Sequence, residues 1–126
     1  VFVSISGENL ENLLTLHLEL TYDAGLMAPT GAKLGSGLAD ALLEFNVDSP
    51  GRLTLGLIDP RGLSRDGVLI QVEFEVSATV GESSLNIEKI EAFGGENLID
   101  LPVSARNGSF NADQDVVSPP VAIFGR

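Results

Sequence analysis

Histidine, carboxylate and hydroxyl groups are the side chains of this sequence that could do chemistry, because the chain has no cysteine. His17 is the only histidine, so a Ser-His-Asp triad would have to be built around it. A zinc site would need a second histidine or a cysteine, and the sequence has neither. His17 also alternates with leucines, which turns it toward solvent in a strand. We therefore interpret it as an exposed residue that contacts a partner, and we expect no catalysis.

Oxygen-bearing side chains occur once at the spacing of a calcium loop. Asn111, Asp113 and Asp115 take the first, third and fifth places of an EF-hand. Val116 then stands where that loop needs glycine, and Ala122 where it needs a bidentate glutamate, so we reject the motif. Solvated carboxylates are the simpler interpretation of the other acidic turns, but calcium there stays open. The candidates are Asp48, Asp59, Asp66, Glu96 and Asp100.

Sugar chemistry has little support in the sequence. A glycosidase needs two acids placed across a cleft, and no such pair stands out. A carbohydrate-binding sandwich typically exposes an aromatic platform, whereas this chain has no tryptophan and a single tyrosine, Tyr22, at an inward position.

Composition and charge limit the partners. With 126 residues, 44% of them hydrophobic, the chain is long enough for one domain with a real core. Its net charge of −11, with only seven Lys and Arg, argues against nucleic acid and against an anionic membrane surface. No apolar run approaches the roughly 20 residues that a membrane helix requires. We expect a processed or excised soluble piece whose beginning has been cut.

One strand organises the candidate residues. From Leu14 to Tyr22 every second residue is apolar, while Thr15, His17 and Glu19 lie between them. This is the period of a half-buried strand, with one face in the core and the other free for water or a partner. The strand ends at a turn built on Asp23 and Gly25.

Further alternating runs indicate more strands. Two runs joined at Pro50-Gly51 predict a hairpin, and Val68–Val76 alternates as regularly as the first strand. A skipped step near Glu88 predicts a bulge. Pro29 predicts that its strand lies at a sheet edge, and Asn107-Gly108 favours a type I′ turn. We predict an all-β sandwich of about eight or nine strands.

The same residues resemble the cohesin domain of cellulosomal scaffoldins and its relatives in bacterial and archaeal surface proteins. The resemblance covers residues 1–112 and rests on five segments together. It implies a nine-stranded jelly-roll whose flat outer sheet face binds the calcium-loaded dockerin module of another protein. The segments are Ile5–Leu10, Leu14–Asp23, Leu26–Gly31, Asp66–Val76 and Asn107–Phe110.

One departure from the family concerns the start of the chain. Cohesins normally have one more strand and a turn before the position of Val1. Three arrangements stay open: an open edge, a strand from a neighbouring subunit, or the chain's own Val121–Phe124 in that place. Residues 1–112 are expected to form the sandwich and residues 113–126 a tail or linker, and a strand contributed by that tail stays open.

The resemblance also implies a partner-binding face on three strands, those around Leu14–Tyr22, Arg52–Ile58 and Val68–Val76. Within this set, Ile58 and Leu69 are the pair that could form an apolar patch. The outward residues are Thr15, His17, Glu19, Thr54, Gly56, Ile58, Leu69, Gln71 and Glu73.

The predicted function is therefore non-catalytic adhesion outside the cell or at its surface, by docking a dockerin-like module. Two alternatives stay open: a filament or surface-layer subunit assembled by strand exchange with copies of itself, and a carbohydrate-binding module. We expect no nucleic acid, no membrane insertion and no cofactor beyond calcium, on the partner or in the acidic turns.

Overall fold

The computed structural model describes residues 1–38, 40–64, 66–95 and 98–125. These residues form twelve strands in two sheets, so the all-β prediction is confirmed, with more strands than the eight or nine expected. None of the described segments is a helix long and apolar enough to cross a membrane. In chain order the strands are β1 (Phe2–Glu8), β2 (Leu13–Thr21), β3 (Met27–Leu34), β4 (Leu42–Ser49), β5 (Arg52–Leu63), β6 (Gly67–Val76), β7 (Glu82–Gly94), β8 (Ile99–Asp100), β9 (Val103–Arg106), β10 (Gly108–Asn111), β11 (Val116–Val117) and β12 (Val121–Gly125).

The two sheets pack face to face. Sheet A has the order β3-β6-β1-β12-β9, and sheet B the order β11-β10-β7-β2-β5-β4, with the short β8 beside β7. The edge position predicted for the strand with Pro29 is confirmed, because among the described strands β3 pairs only with β6. The hairpin at Pro50-Gly51 is also confirmed, since β4 and β5 are antiparallel neighbours.

The core lies between the sheets and follows the predicted alternation. On β2, Leu16, Leu18 and Leu20 are at most 3% exposed. Facing them from sheet A are buried side chains of β1, β6 and β12. Apolar burial of this kind is the main favourable contribution to folding, about 25 cal/mol per Å² removed from water. The facing residues include Val3, Ile5, Ile70, Val72, Phe74, Val121 and Ile123.

Bulges shift the alternation at particular places. The predicted bulge on β7 is confirmed, because Glu19 pairs with Lys89 and the next residue, Leu20, pairs with Ile87, which leaves Glu88 over. A second register shift lies on β6, where Val68 pairs with Ser6 of β1 and Ile70 pairs with Ile5. Leu69 therefore has no partner on β1. A bulge lets two consecutive side chains turn the same way. Leu69 is accordingly buried, at 1% exposure, beside Ile70 at 0%.

The segment after residue 112 is part of both sheets. β11 pairs with β10 in sheet B, and β12 lies between β1 and β9 in sheet A. Val121 and Ile123 are fully buried, so residues 121–125 complete the core and do not hang from it as a linker. Of the three arrangements considered beside β1, the structure has the chain's own tail, running parallel to β1.

Asn107-Gly108 does not form the predicted type I′ turn. β9 belongs to sheet A and β10 to sheet B, so this dipeptide crosses between the sheets. Gly108 does not have the positive φ that the turn needs. It leaves room instead, because a Cβ there would lie 2.5 Å from the carbonyl oxygen of Pro119.

Candidate functional site

The outer face of sheet B brings together most of the predicted site residues. β2 lies between β5 and β7, and β4 completes the surface beyond β5. Antiparallel pairing aligns outward residues in rows across these four strands. With strands about 4.8 Å apart, one row spans about 14 Å. We call this surface, formed by the outward residues of β4, β5, β2 and β7, the outer B face.

The central row of the outer B face is polar. Glu44, Gly56, His17 and Glu91 follow one another across β4, β5, β2 and β7. His17 is exposed, as the alternation predicted. Because Gly56 has no side chain, the surface has a depression between Glu44 and His17.

The row on one side of the centre is apolar. Leu42 pairs with Ile58, and Ile58 pairs with Thr15 of β2. Leu42 is 64% exposed and Ile58 is 48% exposed, so this row presents two neighbouring aliphatic side chains to solvent. The sequence analysis did not select Leu42 as a site residue, although Leu42 stands at the start of the alternating run that forms β4.

The row on the other side is charged. Asn46, Thr54, Glu19 and Lys89 are aligned across the strands. Glu19 accepts a hydrogen bond from Arg52 Nη1 at 3.3 Å, which ties β2 to β5. Thr54 is only 9% exposed, and its hydroxyl donates to the Asp48 carboxylate. Thr54 therefore stabilises this surface through its hydrogen bond to Asp48 and offers little exposed side chain to a partner.

The third predicted strand is not part of this face. β6 belongs to sheet A, so the expectation of a single surface formed by Leu69, Gln71 and Glu73 together with β2 is wrong. Leu69 is buried by the bulge on β6, so the predicted patch of Ile58 and Leu69 is wrong as well. Gln71 donates to the Ser4 hydroxyl at 3.3 Å, and Glu73 accepts from the Thr30 hydroxyl at 3.3 Å. Both contacts lie on the outside of sheet A.

The acidic turn residues are dispersed. Asp66 accepts the Asn9 amide at 2.9 Å, Asp59 accepts the Arg61 amide at 3.0 Å, and Asp100 lies on β8. Glu96 lies outside the described residues. Within the described ranges, no three His, Asp or Glu side chains gather in a way that could hold a metal ion.

A sandwich with one flat, uncovered face is what the cohesin resemblance implied. The cohesin domain model matches residues 1–112. The chain belongs to the cohesin domain family. Cohesin domains are non-catalytic protein–protein docking modules, which agrees with the predicted lack of catalysis.

Solved cohesins share the fold at low sequence identity. A non-cellulosomal cohesin from the archaeon Archaeoglobus fulgidus superposes with a TM-score of 0.72 at 21% identity, covering 87% of this chain and 89% of that one. The sixth cohesin of scaffoldin B from Acetivibrio cellulolyticus, solved in complex with a mutant Cel5 dockerin, gives 0.69 at 19% identity and covers 87% and 97%.

A third cohesin, CaCohA2 from Clostridium acetobutylicum, gives a TM-score of 0.68 at 18% identity over 88% and 90% of the two chains. Comparison with curated proteins returned no match. At these identities the structural likeness shows the shared fold and assigns no role to the residues of the outer B face.

Proposed function

We propose that this cohesin domain docks a dockerin-like helical module through the outer B face, outside the cell or at its surface. The observation that carries the proposal is the aligned set of outward side chains on β5 and β2, with exposed His17 at its centre. The contact residues we propose are Thr15, His17, Glu19, Gly56 and Ile58, with Thr54 supporting them from below.

The physical character of the face suits a helical partner. The sheet presents mixed polar and apolar rows, and such a surface gains affinity from a few central contacts with a polar rim around them. Exposed Ile58 and Leu42 supply apolar area, while Glu19 and His17 supply hydrogen-bonding groups. Docking would remove these aliphatic side chains from water without unfolding any strand.

Two sources support the partner class and the location. Solved cohesins of this fold are recorded in complex with dockerins. The resemblance to scaffoldin cohesins and to domains of bacterial and archaeal surface proteins supports a location at the cell surface. Protease treatment of intact source cells tests the location, because a surface domain is cleaved while an internal one survives.

Calorimetric titration with the dockerin modules of the source organism tests the docking. We expect at least one module to bind in the presence of calcium, and a chelator to abolish that binding, since the resemblance puts the metal on the partner. Refolding of the partner by calcium should restore the heat. Absence of heat with every module would remove the proposal.

Self-assembly by strand exchange is less favoured. β12 of the same chain occupies the place beside β1, so the edge that a neighbouring subunit would fill is already paired. We expect a monomer in solution, measured by light scattering over a wide range of concentration. Oligomers that grow with concentration would favour the filament instead.

A further inference from the structure

A hollow opens at the centre of the outer B face, where Gly56 provides the floor. Its volume is about 480 Å³, and its walls include Leu42, Ile58, His17 and Glu44. Side chains on both neighbouring strands rise beside the glycine because Gly56 pairs with Glu44 on one side and with His17 on the other. Gly56 does not have a positive φ, so its backbone does not require a glycine. The missing side chain therefore shapes the surface.

Glu44 leans over this hollow. Its carboxyl carbon lies 4.0 Å from the point where a Cβ on Gly56 would be. The carboxylate accepts one hydrogen bond, at 3.3 Å, from the neutral side-chain amide of Asn46. Within the part of the chain that the structure describes, no Lys or Arg nitrogen lies within 4.0 Å of it.

Two other glutamates near the centre of the face differ in this respect. Glu19 pairs with Arg52 at 3.3 Å, and Glu91 pairs with Lys89 at 3.4 Å. Glu44 is the carboxylate that lines the hollow, and no described cation matches its charge. It also stands next to the most exposed aliphatic side chain of the face, Leu42.

We propose that the hollow is a subsite for one basic side chain, Lys or Arg, of the docking partner. This inference rests on the proposed function and names the chemistry that the partner must bring. The aliphatic stem would lie against Leu42 and Ile58, and the cationic head would reach Glu44. Lys and Arg have both parts, because their methylene stems pack against apolar surface while their charged ends keep polar contacts.

Other occupants fit less well. A purely aliphatic side chain would cover Glu44 and remove water from its charge without replacing the lost hydrogen bonds, which is costly. An acidic side chain would be repelled by the same carboxylate. A guanidinium has the best match, since its planar donors can bond both carboxylate oxygens.

Small probes test the subsite without any dockerin. We would titrate the isotope-labelled protein with butylguanidinium and pentylammonium, and with pentanol and pentanoate as neutral and anionic probes of similar length. The cations should shift the amide resonances of Gly56, His17 and Ile58 at millimolar concentration, with pentanol weaker and pentanoate weakest. Equal shifts by all four probes, or shifts elsewhere only, would overturn the subsite.

Two variants separate charge from shape. Glu44→Gln keeps the shape and should weaken the cations roughly 2- to 5-fold, the range of an exposed ion pair. Gly56→Val fills the hollow with a residue that suits a strand and should abolish the shifts. Glu75→Gln, an equal charge change on exposed β6 of the other sheet, should leave cation binding unchanged. Unchanged cation affinity in Glu44→Gln would also overturn the proposal.

A dockerin that binds allows a second test. Each Lys and Arg of that dockerin is replaced by Gln, and affinity is measured against the wild-type cohesin and against Glu44→Gln. One replacement should weaken binding to the wild type and have little further effect in Glu44→Gln, which is the signature of a direct pair. If a dockerin binds and no basic residue couples to Glu44, the subsite fails while the docking function stands. If no dockerin binds, the docking function fails, and the small probes decide the subsite.

Discussion

The ring of Tyr22 meets the ring of Phe74 edge-on across the core, with centroids 5.4 Å apart and ring planes at 67°. Tyr22 directly follows β2 of sheet B, and Phe74 lies on β6 of sheet A. The two strands with the most regular alternation are thus opposite walls of the core, about 10 Å apart. Their outward side chains point in opposite directions, so His17 and Glu73 belong to different surfaces.

The position of Leu69 leads to a first prediction. Leu69→Ala should lower the free energy of unfolding by about 2–5 kcal/mol, because it removes a fully buried side chain. Ile58→Ala, at a half-exposed place on the outer B face, should change it by no more than about 0.5–1 kcal/mol. Urea denaturation followed by circular dichroism measures both. Equal losses would contradict the burial difference between 1% and 48% exposure.

A second prediction concerns partner binding. Replacing Thr15, His17 and Glu19 together by alanine should weaken a bound dockerin at least tenfold, about 1.4 kcal/mol, while the fold remains. Calorimetry gives the affinity, and the thermal transition confirms folding. The matched variant replaces Gln71 and Glu73 on sheet A by alanine and should bind as the wild type does. A loss of affinity confined to the sheet A variant would move the docking face to the other side of the molecule.

The tail strand leads to a third prediction. Ile123→Ala on β12 should destabilise the protein by about 2–5 kcal/mol, because Ile123 is fully buried. Ile99→Ala makes the same chemical change at a site that is 58% exposed and should have little effect. Denaturant titration of the two variants gives the comparison. If Ile123→Ala were neutral, residues 121–125 would not be held in the sandwich in solution.

Two glycines, Gly31 within β3 and Gly35 directly after it, give a fourth prediction. A Cβ on Gly35 would overlap the carbonyl oxygen of Val68, and the Gly35 amide donates to Leu69 O at 2.8 Å. Gly35→Ala should therefore cost about 1–3 kcal/mol. A Cβ on Gly31 would meet no atom within 4 Å, so Gly31→Ala should be neutral or stabilise slightly. Thermal unfolding of both variants tests this prediction. A Gly35→Ala variant as stable as the wild type would contradict it.

Alternation in the sequence predicted which side chains of β2 face the core, because side chains of a strand point to opposite faces in turn. It also located the bulge at Glu88, where the apolar pattern skips a step. Both predictions used only local geometry. Alternation does not predict which strands pair, because the pattern of Val68–Val76 is the same whichever sheet the strand joins.

The errors arose where long-range packing decides. Leu69 is buried because the pairing between β1 and β6 slips there, and nothing in the sequence of β6 alone marks the slip. Val121–Gly125 is short and follows two prolines, so the sequence left open whether it is a linker or lies beside β1. The structure has the second arrangement, with buried side chains in sheet A. The hollow at Gly56 depends on cross-strand neighbours, so it became visible only once β4, β5 and β2 were placed side by side.

The pairing of Ile5 with Val121 also sets an order of events during folding. β1 and β12 are neighbours although Ile5 and Val121 lie far apart in sequence, so sheet A cannot close until residues 121–125 have been synthesised. Contacts between residues so distant in sequence slow folding, because the loop between them must be closed first. Until then the nascent chain exposes the unpaired edges of β1 and β9, which leaves it open to aggregation and to capture by chaperones.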